Sequence, residues 1–144
     1  MVLDIGEYSW KTIRSWNSWR PMTKKRLLVV DDEPELGEFV GIVGNDLGFE
    51  VEVTRSPGEF KRAFGTFRPT TIVMDIVMPE TNGVELVRWL IEQECRARVI
   101  VASGMNSVYG DCLAALASKS GISISFLNKP YRLTTLRETL ELAA

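Results

Sequence analysis

The sequence predicts an α/β protein, a single parallel sheet of five strands covered by helices on both faces. Two observations carry this. Five short apolar runs rich in Val, Ile and Leu each precede a stretch whose apolar residues recur at helical spacing. The connections between them are short, so each helix must carry the chain back across the sheet to start the next strand parallel to the last. At 144 residues the chain suits one domain with a proper core.

The elements follow in order. Leu27–Val30 is apolar at every position, the pattern of a strand buried on both faces. A helix follows, with Pro34 in its first turn, Leu36, Phe39, Val40, Val43 and Leu47 on one face, and Gly48 at its end. "FEVEVT" alternates as a second strand. In "SPGEFKRAFGTF", Ser56 and Glu59 have capping-box spacing ahead of Phe60, Ala63, Phe64 and Phe67. "TTIVMD" is the third strand, and Val84, Val87, Leu90 and Ile91 mark a helix after Gly83. "RVIVAS" is the fourth strand, Ser107–Lys119 a helix stopped by Gly121, and "ISISFL" the fifth strand. Leu133, Leu136 and Leu140 mark the last helix, for which Thr135 and Glu138 form a second candidate capping box.

Composition narrows the function. A net charge of −2 leaves no general electrostatic footprint for nucleic acid, so direct nucleic-acid binding is not expected. No apolar run approaches the length of a membrane span. The start "MVLDIGEYSWKTIRSW" lacks a continuous apolar core and is not expected to act as a secretory signal. Cys95 and Cys112, single and far apart, read as reduced thiols, and the expected location is cytoplasmic. The chain has no histidine, which removes Ser-His and Cys-His couples and histidine-ligated metals. Any metal must be a hard ion held by oxygen.

In doubly wound sheets ligands bind beyond the carboxyl ends of the strands. Asp31 and Asp32 follow the first strand, Asp75 ends the third, Ser103 ends the fourth, and Lys129 and Pro130 follow the fifth. Adjacent carboxylates at the end of an apolar strand repel by roughly 1–4 kcal/mol at a few Å. That repulsion becomes useful when a cation offsets it, and clustered carboxylates suit Mg²⁺. A hydroxyl and an ammonium suit phosphoryl oxygens, and a carboxylate can itself be the nucleophile. Neither a P-loop signature nor GxGxxG is present to anchor a nucleotide.

"LLVVDDEPE", "MDIVMPETNG", "VASG" and "LNKPYR", in this order and spacing, resemble the receiver domain of two-component response regulators, from Lys24 to the C-terminus. The resemblance implies a flavodoxin-like (βα)5 fold with strand order 2-1-3-4-5. It implies a receiver over residues 24–144 preceded by a short N-terminal extension, residues 1–23. It implies that Asp75 is the phosphoacceptor, taking a phosphoryl group from phosphohistidine of a histidine kinase or histidine phosphotransfer protein. Asp31, Asp32, Asp75 and the backbone carbonyl of Val77 match the Mg²⁺ ligands, and Lys129 the lysine that pairs with the phosphoryl group. Ser103 and Phe126 match the switch hydroxyl and switch aromatic. Pro130 matches a usually cis proline, and Met78, Pro79 and Gly83 match the loop after the acceptor. The implied protein is a signalling switch, an enzyme only in its own phosphorylation and dephosphorylation. It would pass its state to a downstream effector, or to a second copy, through the fourth helix, fifth strand and fifth helix.

Two departures stand out. The interval from Ser103 to Lys129 is a few residues longer than the family's usual spacing. Val77, two residues after the acceptor, is apolar and cannot orient a hydrolytic water. Two other readings compete: a receiver fold acting as a phosphorylation-independent interaction module, and an aspartate-nucleophile phosphatase of the haloacid-dehalogenase type. The latter expects a second Asp where Val77 stands. Gly37, Gly41 and Gly44 share one side of the first helix, by drift or to admit a partner helix. Residues 1–23 hold Trp10, Trp16 and Trp19, three of the four tryptophans, and read either as a dispensable extension or as an aromatic segment that docks. No effector domain is expected after the last helix.

Overall fold

The computed structural model describes residues 24–79, 81–104 and 109–142. Ten elements alternate: β1 (Arg26–Val30), α1 (Pro34–Asp46), β2 (Glu50–Thr54), α2 (Pro57–Phe67), β3 (Thr71–Asp75), α3 (Gly83–Glu92), β4 (Arg98–Ser103), α4 (Tyr109–Ser120), β5 (Ile124–Asn128) and α5 (Leu133–Leu142). All neighbouring strands are parallel, in the order β2-β1-β3-β4-β5. The start of the fourth helix expected at Ser107, and the whole N-terminal extension, lie outside the described residues.

The apolar runs divide by the two-residue period of a strand. Leu28 and Val30 of β1 join Ile72, Met74, Val99 and Val101 under α2, α3 and α4, where Phe60, Leu86, Leu90 and Leu113 fill the layer. Leu27 and Val29 point the other way, with Val73, Ile100 and Leu127, to Val40 and Val43 of α1 and Leu136 and Leu140 of α5. The continuous apolar run of β1 is therefore two half-patterns, one for each core. Each fully buried Leu, Ile or Phe among them contributes about 1.5–3 kcal/mol.

The punctuation holds at most boundaries. Gly48 and Gly121 take left-handed backbone (φ 95° and 82°) where their helices end. Ser56 Oγ accepts the Glu59 N–H at 3.2 Å, while Glu59 reaches one residue further than in a standard box and takes the Arg55 N–H at 2.9 Å. Two expectations need correction. The fifth strand starts at Ile124 rather than Ile122 and runs on to Asn128. The second capping box does not form at Thr135, because α5 already begins at Leu133. Thr135 is in the first turn, and its carbonyl accepts the Thr139 hydroxyl at 2.8 Å.

The glycines of α1 face the sheet of their own domain, not a partner helix. A Cβ on Gly37 or Gly41 would stand 3.1 Å from a Val53 methyl, and one on Gly44 would stand 2.6 Å from Leu27 Cδ2 and 3.1 Å from Val51 Cγ2. Their absent side chains let α1 lie close over β1 and β2. Gly65 in α2 is the contrasting case, since a Cβ there meets nothing within 4 Å among the described residues. Gly44→Ala should therefore destabilise the fold by about 1–3 kcal/mol through overpacking, despite the better helix propensity of alanine. Gly65→Ala should stabilise it by about 0.5–1 kcal/mol. Urea unfolding measures both, and a neutral Gly44→Ala would remove the close approach as the reason for glycine.

Candidate functional site

The parallel register brings four strand ends to one edge. Asp31 follows the last residue of β1, and its N–H is held by the Thr54 carbonyl at 3.1 Å. Asp75 ends β3 in register with Ala102, one residue before Ser103 closes β4. Ser103 pairs with Asn128, and its carbonyl accepts the Lys129 N–H at 2.7 Å, which aims the lysine back over the edge. Ser103, Asp31 and Asp75 are all buried, Asp32 half-buried.

The carboxylates converge. Asp31, Asp32 and Asp75 each offer an oxygen within 4.8 Å of the others. Lys129 Nζ lies 3.2 Å from Asp75 Oδ2, 3.9 Å from Asp31 Oδ2 and 3.8 Å from Glu33 Oε1. Two backbone donors help to fix the acids: Glu33 N–H to Asp31 Oδ1 at 2.9 Å and Val77 N–H to Asp75 Oδ1 at 3.3 Å. Three carboxylates thus share one ammonium, with Asp32 beside them. Burial pushes the Asp31 carboxyl up to about 6; the Glu33 N–H and Lys129 oppose that shift, and the Asp75 charge adds to it. Burial likewise raises Asp75, against Lys129 and the Val77 N–H. An oxygen-only set short of positive charge fits a hard divalent cation such as Mg²⁺.

The loop after Asp75 is braced from beneath. Val77 bridges Asn82, the Asn82 side chain caps α3 by accepting the Glu85 N–H at 3.0 Å, and Gly83 N–H donates to the Ile76 carbonyl at 2.6 Å. A Cβ at Gly83 would stand 2.9 Å from Ile76 Cα, so only glycine permits this turn. Met78 is buried, whereas Pro79 and Val77 are exposed. The Lys129–Pro130 peptide is cis. Phe126 stands on the edge strand β5 with 45% of its surface exposed, apart from the buried acids.

The profile of the response regulator receiver domain matches residues 27–141. The chain belongs to this family. Among similar receiver proteins, the transcriptional regulatory protein TrcR of Mycobacterium tuberculosis is 30% identical over 77% of this chain, which spans 42% of TrcR. The chemotaxis protein CheY of Thermotoga maritima is 28% identical over 81% of this chain and 94% of CheY. FixJ of Rhizobium meliloti is 28% identical over 85% of this chain and 58% of FixJ. In structure, the chemotaxis protein CheY4 of Vibrio cholerae superposes with a TM-score of 0.71 at 23% identity, covering 84% of this chain and 99% of that one. The strand order and receiver architecture expected from the motifs are thus those observed. Among the described residues no helix is long and apolar enough to cross a membrane.

Two receiver residues were not singled out by sequence. Glu33 joins the lysine's acidic ring; its signal was the third acid of "DDE". Tyr131, two residues after Lys129, is half-buried and stacks on Phe39 with centroids 6.4 Å apart. Burial first, then the charges of Asp31, Asp75 and Glu33, raise its phenol. Its signal was weak, because an aromatic after a strand is ordinarily just packing.

Because the Asp31 carboxyl binds its proton more tightly folded than unfolded, its contribution to stability is full below the unfolded value near 3.8 and is lost as pH rises through about 6. In chelator, stability should increase by roughly 1–3 kcal/mol from pH 7 to pH 4 relative to Asp31→Asn. Mg²⁺ should reverse the trend, stabilising at pH 7 and losing its effect in acid. Urea unfolding against pH, with and without Mg²⁺, reads both, and a parallel pH profile in Asp31→Asn would refute the assignment.

Proposed function

We propose that this chain is a phosphoacceptor receiver, with residues 24–144 as the receiver and 1–23 as an extension, and that Asp75 takes a phosphoryl group from phosphohistidine on a histidine kinase or phosphotransfer protein. The observation that carries this is the convergence of Asp31, Asp32 and Asp75 within 4.8 Å, with Lys129 Nζ 3.2 Å from the proposed nucleophile. Asp31, Asp32, Asp75 and the Val77 carbonyl would hold Mg²⁺, whose charge offsets the repulsion between these acids and the incoming phosphoryl oxygens.

The chain's own residues supply the rest. An Asp75 carboxylate oxygen attacks phosphorus as the P–N bond to the donor imidazole breaks; the imidazole leaves with the bonding pair and takes a proton from water. Lys129 opposes the burial that raises the Asp75 carboxyl and then moves onto the phosphoryl oxygens. Ser103, buried at the neighbouring strand end, donates its hydroxyl to the same group. Its inward movement empties space behind β4 and β5, which the exposed Phe126 ring fills. The surface formed by α4, β5 and α5 changes shape, and an effector or a second copy reads it. Only a few kcal/mol of differential contact is needed for such a switch. The location consistent with such partners is the cytoplasm.

Exposed Val77 holds no group that could orient water toward phosphorus, and it occupies the place where the phosphatase reading needs an acid. The site therefore favours acceptance over turnover.

Incubated with Mg²⁺ and a small phosphodonor such as acetyl phosphate, the protein should gain the mass of one phosphoryl group. Asp75→Asn and a chelated sample should gain none, and Lys129→Ala should accept far less. A modified Asp75→Asn protein, or an unmodified wild type under conditions that label another receiver, would overturn the assignment.

A further inference from the structure

Beside the acid cluster lies an open cavity of about 390 Å³, lined among the described residues by Leu36 and Phe39 of α1 and by Lys129, Pro130 and Tyr131 between β5 and α5. Its volume is that of a small-molecule site. Four of these five residues offer mainly hydrocarbon or ring surface. The fifth is the lysine whose Nζ lies 3.2 Å from Asp75 Oδ2. One side chain therefore borders both the acceptor and the apolar wall.

The wall is held from behind. The Phe39 and Tyr131 rings stack with centroids 6.4 Å apart and planes 24° apart. Both pack on the core that contains Val40, Leu136 and Leu140. Leu36, Phe39 and Tyr131 are half-buried, so each keeps part of its surface toward solvent. The Tyr131 phenol feels the charges of Asp31, Asp75 and Glu33, which sets its ring in the field of the acids.

A phosphodonor brings a leaving group along with its phosphoryl group. In an acyl phosphate the leaving group is a carboxylate that carries a hydrocarbon tail. With the phosphoryl oxygens against Lys129, that tail lies among the residues around the lysine. The carboxylates there gain nothing from hydrocarbon, whereas the Leu36, Phe39 and Tyr131 wall removes it from water. Full burial strengthens binding about fourfold for each methylene.

We propose that this cavity seats the tail of small acyl-phosphate donors, so that the chain prefers donors with a tail longer than acetyl. The inference rests on Asp75 being the phosphoacceptor. In the transfer, an Asp75 carboxylate oxygen bonds to phosphorus and the bond from phosphorus to the acyl oxygen breaks. The carboxylate leaves with the bonding pair, and no proton moves. Phe39 and Tyr131 set donor specificity and take no part in bond making.

The test incubates the full chain and Mg²⁺ with acetyl phosphate, butyryl phosphate or phosphoramidate, and follows the gain of one phosphoryl group by intact mass. Acetate and butyrate are leaving groups of nearly equal basicity, so a difference between their phosphates reads the tail. Butyryl phosphate, two methylenes longer, should react with a second-order rate constant about tenfold above that of acetyl phosphate. Phe39→Ala and Tyr131→Ala should each bring this ratio toward one, whatever happens to the acetyl rate. Tyr131→Phe, which keeps the ring, should retain the ratio, and Leu36→Gln should lower it should the alanine variants not fold. Equal constants for the two acyl donors in the wild-type chain overturn the proposal, as does a ratio unchanged in Phe39→Ala, Tyr131→Ala and Leu36→Gln. Phosphoramidate has no acyl tail: labelling of Asp75 by it without an acyl preference strikes this inference alone, whereas no labelling by any of the three donors overturns the phosphoacceptor reading and this inference with it.

Discussion

The constraint on which the structure turns is the burial of acidic charge at one edge of the sheet. Asp31 and Asp75 are almost fully enclosed, yet each keeps a backbone N–H partner and both face the same ammonium. At 3–4 Å and an effective dielectric near 20, one such ion pair supplies roughly 4–5 kcal/mol of Coulomb attraction, against desolvation costs of several kcal/mol per ion. One lysine is shared among Asp31, Asp75 and Glu33, and it does not offset the burial that raises the Asp31 carboxyl. The site is stable enough to fold and short enough of positive charge to attract a cation.

Holding charges in that state requires a scaffold that does not relax. The two cores supply it by clamping β1 and β3 from both faces, so neither Asp31 nor Asp75 can retreat toward solvent without moving a packed strand. The glycines finish the fit. Gly37 lets the first turn of α1 lie close over β2, where a Cβ would stand 3.1 Å from a Val53 methyl, and Gly83 lets α3 start against Ile76 directly after Asp75. Positions that look like weak points in two helices are where the backbone packs most tightly on neighbouring elements.

How much of this was legible depended on whether the signal was local. The strands and most helix ends were readable because strand periodicity, Gly48, Gly121 and Ser56 act within a few residues of themselves. The four charged site residues were readable because each terminates or directly follows a strand, and parallel topology then places all of them on one edge. What escaped depends on contacts across the fold. Whether the α1 glycines face a partner or β2 is decided by Val51, Val53 and Leu27, far away in sequence. Thr135 looked like a cap because the capping pattern is satisfied by spacing alone, whereas the helix already begins at Leu133, two residues earlier. Tyr131 was hidden for the same reason: only its stack on Phe39 reveals that it shares the acids' environment.

The distribution of charge also constrains how a switch built here would work. Lys129 is divided among three carboxylates, so none of them holds it alone. A phosphoryl group on Asp75 would carry close to two negative charges and several oxygens, and would draw the ammonium away from Asp31 and Glu33. The Lys129 main chain is held, because its N–H is bonded to the Ser103 carbonyl and β5 is paired with β4 through Asn128. The ammonium itself rides on a flexible four-carbon stem, so it could shift between oxygens while the strand stays in place.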